Sequence, residues 1–464
     1  MSADRPIPPI ADPSWKGHLK ATLALGLPLI GVQLSQMAIN VTDTVMIGWL
    51  GATELGACVL GTQLFFIAFI ISSGFSNAVV PLAASAAAAD DLAGLRRATR
   101  MGFWAVTGMG LLMMPVLWQS EAILLLLGQK PDIAALAGDY VRITQWGLLP
   151  LLYVAVLRSY MSALEQVKIV LIATLIGVAV NAFLNYLLIF GNFGAPRLEI
   201  IGAAWASLAT STATLVALIF YTFSRDDLRR HAIFQHLNRP DWVALNEVVR
   251  MGLLISIALL AEIGLFAAAS IMIGWLGTIP LAAHGIALQI ISVIFMVPLG
   301  LSSAATVRTG RAVGRRDAQG LDRAGKTVLG LALAVALAAA LVLLVLPATL
   351  IRQFLDETKA ADAASIIAIG APLLAVAAAF QLVDTLQVVS AALLRGIKDF
   401  KVPMIMAAFS YWLIGVPVAY FLAFPSGWGA IGIWAGLAIG LSVAAVLLTG
   451  RFLMRDRLGL VDLT

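Results

Sequence analysis

Three carboxylates stand in stretches that otherwise read as hydrocarbon: Asp43, Glu262 and Asp384. An ionised side chain at the centre of a bilayer costs at least ~2.5–3.5 kcal/mol on insertion scales, so an acid kept there needs a reason. Glu262 follows Arg250 by 12 residues, and Asp384 precedes Arg395 by 11. At a helical rise of about 1.5 Å per residue, both acids fall near the midplane of a bilayer. Asp43 lies late in the first apolar stretch, nearer its outer end. Each can be neutralised by a proton, a small metal cation or an organic cation, or can be a paired or protonated part of the scaffold. Asn181 and Asn185 lie i, i+4 on one helix face. With Asp43 they offer oxygen ligands to a hard cation such as Na⁺; equally, membrane asparagines hold helices together by hydrogen bonds. Gln33, Gln36, Gln63 and Gln289 are candidates to line a cleft or to bond between helices. His284, near an outer helix end, reads as a structural histidine ahead of a pH sensor.

The scaffold that positions these groups is a membrane one. Of 464 residues, 61% are hydrophobic and 12% charged, with a mean hydropathy of +0.96. Soluble domains carry roughly a quarter charged residues. Twelve apolar segments lie near 18–45, 53–86, 93–118, 133–160, 166–190, 200–223, 243–273, 280–306, 322–346, 361–392, 401–424 and 430–453. Backbone groups in lipid must bond internally, so these segments are helices; they are too long and too uniformly apolar for barrel strands. The N-terminal tail is polar and proline-rich, unlike a cleavable signal, and the first span is expected to serve as insertion signal. The single cysteine, Cys58, supports neither a disulfide nor a zinc site.

Lys and Arg set an orientation. With the N-terminus in the cytoplasm, 25 of the 30 basic residues fall on that side. They include the tail (Arg5, Lys16, Lys20), the turns with Arg96, Arg97, Arg100, Arg158 and Lys168, the middle loop, and the loop with Arg308, Arg311, Arg315 and Arg316. Lys130, Arg197, Arg352 and Lys359 fall outside, and Arg142 falls inside span 4. Both termini are therefore expected in the cytoplasm, in a multi-pass protein of the inner membrane.

The two halves are related. Met46–Gly51 and Met272–Gly277 share the sequence MIGWLG at an offset of 226, and Gln63 meets Gln289 at that offset. Each half holds six spans, so both enter the membrane in the same sense, as parallel repeats do. The expected fold is an all-α integral membrane protein: twelve transmembrane helices in two parallel-repeat six-helix lobes around a central cleft. Its parts are a cytoplasmic tail (1–17), an N-lobe (18–223), a linker (224–242), a C-lobe (243–453) and a C-terminal tail (454–464). The repeat is also a control. Glu262 corresponds to Gln36 and Asp43 to Ala269, while Asp384 falls opposite apolar residues of span 4. The shared fold does not require these acids, which points to a specialised role for each.

Four stretches together resemble the multidrug and toxic compound extrusion (MATE) transporters. Val41–Gly48 resembles the end of helix 1, Asn181–Pro196 helix 5 with its following loop, Leu276–Gln289 the start of helix 8, and Gln381–Asp399 helix 10 with its exit. The NorM-like branch, with an acid in helix 7 where Glu262 stands, fits best. The resemblance implies export of amphiphilic organic cations in exchange for Na⁺ or H⁺, with no other cofactor. It implies a C-lobe cation site at Glu262 and Asp384, and an N-lobe site at Asp43, Asn181 and Asn185. Ser207 stands where a helix-6 threonine is usual and keeps the hydroxyl. Phe380 stands where the family has a tyrosine, one turn before Asp384, and lacks its oxygen.

These readings converge on a secondary antiporter working by alternating access, acting as a monomer on small organic cations, with the lipid bilayer as its other partner and no nucleic acid. A lipid-linked oligosaccharide flippase of similar two-lobed architecture is the alternative. It needs basic residues to meet pyrophosphate, and Arg142 alone reads as lying within a span. An enzyme is disfavoured by the absence of HExxH, GxSxG and paired cysteines.

Overall fold

The computed structural model describes residues 13–354 and 363–462. Arg5 and Lys359 of the charge pattern lie outside the described residues.

All twelve expected spans are helices long and apolar enough to cross a membrane. In chain order they are α1 Trp15–Gly48, α2 Ala52–Ala88, α3 Leu92–Trp118, α4 Pro131–Ala163, α5 Val167–Phe190 and α6 Glu199–Ser224. α7 Trp242–Gly274, α8 Thr278–Gly314, α9 Ala318–Val345, α10 Ala363–Gly396, α11 Lys401–Ala423 and α12 Gly429–Leu453 complete the set. No strand occurs among the described residues. The chain is a multi-pass membrane protein. Two spans carry irregular turns: α4 has a 3₁₀ turn at Gln145–Gly147, and α11 a π turn at Ser410–Gly415.

The duplication seen in sequence is repeated in the caps. α2 and α8 begin and end 226 residues apart, and α3 and α9 begin at the same offset. Before α3, Asp90 has φ 55°, and before α9, Arg316 has φ 54°. Asp91 then caps α3 by accepting from Gly94 N at 2.8 Å, and Asp317 caps α9 by accepting from Gly320 N at 2.7 Å. After the fourth helix of each half the offset is 233. Glu165 and Lys398 share the left-handed conformation (φ 60° and 65°), and the next amides, Gln166 and Asp399, reach back to Met161 O and Leu394 O at 2.8 and 3.0 Å. This fixes the register that the sequence leaves loose, and Asp384 stands opposite Leu151.

By internal packing the chain divides into two units, Gly31–Ser256 and the remainder, in which residues up to Ile30 join Ile257 onward. In the first unit the middle loop is fastened to α3 by donors at i, i+4 and i+8. Arg96 Nε donates to His231 O (2.8 Å), Arg100 to Gln235 O (3.0 Å) and Trp104 Nε1 to Leu237 O (2.7 Å). In the second unit the core is built on Trp434, Tyr411, Phe380 and the leucines around them, all fully buried. There α11 and α12 approach closely because Gly436 lies against the Ala419 backbone and Gly440 against Gly415, where any Cβ would clash. The small residues of the Gly436–Gly440 motif therefore serve packing.

The helices run further than the apolar segments suggest, which corrects part of the charge map. Arg308 and Arg311 are side chains of α8, 6% and 4% exposed, rather than loop residues. Arg158 lies in α4 and Arg395 in α10, so Arg142 is not alone within a span. Burial of Arg308 is compensated inside its own unit. Its guanidinium donates to His18 O at 2.9 Å and to Thr22 Oγ1, and contacts His18 Nδ1 at 2.7 Å. A hydropathy window sees the charge and stops; the helix continues because partners are waiting on α1.

Candidate functional site

The three acids and the two asparagines singled out in the sequence gather in two clusters, one in each packing unit. In the Gly31–Ser256 unit, α1, α5 and α6 bring Asp43, Asn181, Asn185 and Ser207 together. Asn185 Nδ2 donates to Asp43 Oδ1 at 2.5 Å and to Asn181 Oδ1 at 3.2 Å, while Ser207 Oγ donates to Asp43 Oδ2 at 3.2 Å. Both asparagines are fully buried, one helical turn apart, and each keeps an unpartnered atom: Nδ2 of Asn181 and Oδ1 of Asn185. A buried amide atom without a partner is costly. Four oxygen-bearing side chains from three helices thus converge, one of them charged, and one carbonyl still lacks a donor. That donor set suits a small hard cation.

The other cluster is built from α7, α10 and α11. Asp384 is 2% exposed, and its Oδ1 has no hydrogen-bond partner. Glu262 is close enough to act on it electrostatically, and Arg395 acts on Glu262 in turn. Among the described residues neither acid forms an ion pair within 4.0 Å, so Glu262 is influenced by the guanidinium without being locked to it. Around Asp384 on α10, Gln381 Nε2 donates to Thr385 Oγ1 at 3.3 Å, and the Oε1 atoms of Gln381 and Gln387 lack partners.

An aromatic wall backs this site. Phe380 is fully buried, edge-on to Phe266 (ring centroids 5.9 Å apart) and to Trp434 (5.6 Å). Trp434 Nε1 donates to His284 Nδ1 at 3.2 Å, which leaves the imidazole proton on Nε2, 2.9 Å from Ser270 Oγ; that hydroxyl donates on to Phe266 O at 3.0 Å. Both ring nitrogens of His284 are thus used within this relay.

Sequence reasoning missed two members of this cluster. Tyr411 is fully buried on the π turn of α11, its hydroxyl has no partner, and it interacts electrostatically with Glu262, Asp384 and Arg395. The only signal was a tyrosine in the middle of an apolar helix. Arg395 served as an orientation marker, yet its side chain bears on Glu262. Conversely, the glutamines stand apart: Gln63 and Gln289 are exposed, Gln33 and Gln36 half-buried, and among the described residues none bonds into either cluster.

The family model MatE matches residues 28–187 and 255–421, which hold both clusters except Ser207. The chain belongs to the MatE family. The two matched segments follow the internal repeat. Among relatives of this MatE chain, a Rhizobium meliloti protein named "Probable multidrug resistance protein NorM" is 48% identical over 442 residues, covering 95% of this chain and 94% of its own. The multidrug resistance protein NorM of Burkholderia vietnamiensis is 38% identical over 95% of each chain. The fold is shared with a MOP superfamily transporter from Pyrococcus furiosus (22% identity, TM-score 0.84, 95% and 96% of the two chains). An outward-facing multidrug resistance MATE family transporter gives a TM-score of 0.85 at 20% identity, covering 96% and 97%.

Proposed function

We propose that this MatE protein is a secondary antiporter that exports organic cations by exchange with Na⁺ or H⁺ at carboxylates held within its spans. It is a multidrug efflux transporter rather than an enzyme, as the names of its relatives indicate. The observation that carries the exchange mechanism is the pairing of half-buried Glu262 with buried Asp384, neither of them locked in an ion pair among the described residues. With both acids ionised and Arg395 charged, the cluster holds one net negative charge. A single monovalent cation neutralises it, whether a proton, Na⁺ or a drug, so the guests compete. The coupling ion then shifts the transporter between states only through its differential affinity for them. An inside-negative potential adds ~2.3 kcal/mol per charge per 100 mV to inward movement of that ion. We place the protein in the inner membrane with both termini in the cytoplasm, working as a monomer through its N-lobe (18–223) and C-lobe (243–453). The Asp43, Asn181, Asn185 and Ser207 cluster is read as a second coupling-cation site.

The flippase alternative is not favoured. The relatives are named for multidrug resistance, and Arg142, offered as the pyrophosphate partner, is held by Glu121 at 2.8 Å and Asp139 at 3.1 Å. The deciding experiment is counter-flow of ethidium in proteoliposomes with Na⁺ and pH gradients imposed separately. Exchange driven by one gradient supports the antiporter and identifies the ion; uptake indifferent to both removes it.

A further inference from the structure

The phenol of Tyr411 is an anomaly that packing does not explain. The ring is fully buried, and a phenylalanine would fill the same space, yet a hydroxyl that can both donate and accept is kept there without a partner. Asp384 Oδ1, in the same electrostatic cluster, is a second orphan. Two unsatisfied buried groups of matching chemistry in one cluster mark a position that a third party completes.

The local backbone is arranged to bring Tyr411 there. Ser410–Gly415 is a π turn inside α11, a feature that recurs at functional sites because the extra residue re-aims the side chains around it. Trp412, the next residue, donates its indole N–H to Ala261 O at 3.1 Å, tying the turn to α7 one residue before Glu262. Gly264 leaves room for that indole, since a Cβ there would meet the ring. The position of Tyr411 is thus referenced to the helix that carries Glu262. Phe380, one turn before Asp384, offers no oxygen.

We infer that Tyr411 is a ligand of the coupling cation in the Glu262–Asp384 site, its phenolic oxygen adding a third protein oxygen beside the two carboxylates. The assignment rests on the exchange reading above. For Na⁺ the oxygen coordinates; for H⁺ it hydrogen-bonds the protonated acid. The requirement for the phenol is common to both, and the coupling ion competes with an organic cation that has less need of it.

The test uses the full-length protein in nanodiscs with bound ethidium, displaced either by Na⁺ at fixed pH, with choline holding the ionic strength, or by acid at fixed Na⁺. Tyr411→Phe is expected to raise the half-displacing concentration of the coupling ion by about tenfold, while ethidium affinity changes less than about threefold; a tenfold change corresponds to ~1.4 kcal/mol. Displacement like that of the wild type overturns the assignment. Should Tyr411→Phe not fold, 3-fluorotyrosine placed at position 411 keeps the phenol and reports directly. Its ¹⁹F resonance should move with the same midpoint as ethidium release, and an unmoved resonance overturns the proposal. Wild-type protein from which neither ion displaces ethidium removes the exchange reading, and Tyr411 with it. Displacement lost in Glu262→Gln but unaltered in Tyr411→Phe removes Tyr411 alone.

Discussion

Asn185 Nδ2 lies 2.5 Å from Asp43 Oδ1, and the same nitrogen donates to Asn181 Oδ1. One amide thus spans a carboxylate and a second amide, at the place where a cation would be coordinated by those oxygens. Sodium there would neutralise Asp43 and give the unpartnered Asn185 Oδ1 a ligand. Asp43→Asn keeps the shape but removes the charge. The expected result is loss of the sodium-dependent rise in melting temperature, measured in NaCl against choline chloride. A site filled at 100 times its Kd stabilises by about 2.7 kcal/mol, which bounds the effect. Ser207→Ala should reduce the shift less, since its hydroxyl contributes a single bond at 3.2 Å. An undiminished sodium shift in Asp43→Asn counts against a sodium site in this half.

The duplicated caps make a prediction about stability alone. Asp91 and Asp317 each satisfy the amide three residues on, at 2.8 and 2.7 Å. Replacing an N-cap aspartate by alanine costs about 0.5–2 kcal/mol. Asp91→Ala and Asp317→Ala should destabilise by similar amounts, and their effects should add in the double variant, because the two sites share no partner. Thermal unfolding in detergent checks both. A loss confined to one site would show that the repeats have diverged in stability as well as in charge.

The twelve spans were legible because each carries its signal locally: about 20 apolar residues and a change of basic charge at its ends. Asp43, Asn181 and Asn185 were legible too, as polar residues with no solvent to face, and Ser207 through the family resemblance, although only folding could show that α1, α5 and α6 bring them into hydrogen-bonding distance. Tyr411 was not. Its place in the site depends on a π turn and on Trp412 reaching Ala261, which are long-range facts with no local signature. The ends of the α8 and α10 helices were misjudged for a related reason. Arg308 is received by His18 and Thr22, nearly 300 residues away.

The middle loop should respond to acid. His231 Nδ1 lies 2.6 Å from Tyr160 OH, an arrangement in which the neutral ring accepts the phenolic proton. Burial, with the positive charges of Arg230 and Arg96, pushes the His231 pKa below the usual histidine value, while Asp227 opposes this. The folded form therefore prefers the neutral ring. Its contribution is fully present above the unfolded pKa of about 6.5 and is lost as pH falls below that value. Hydrogen exchange across 231–241 should accelerate between about pH 7.5 and pH 5. Tyr160→Phe, which cannot donate, should exchange faster already at neutral pH and respond less to acid. Equal protection at both pH values would show that the donors from α3 hold the loop unaided.

The last prediction concerns the acids themselves. Glu262→Gln and Asp384→Asn each remove one negative charge and leave volume nearly unchanged. With Arg395 still charged, either variant brings the cluster to neutrality, so a cation guest loses its electrostatic reason to bind. Each single change is expected to abolish ion-driven efflux, by about a hundredfold or more, while membrane insertion and melting in the absence of ions stay near wild type. The Glu262→Gln, Asp384→Asn double variant should be scarcely worse than either alone, because residues acting as one unit are strongly non-additive. Multiplicative losses would instead mean that the two carboxylates work at separate steps. Drug efflux at the wild-type rate in both single variants would mean that the guests do not compete here at all.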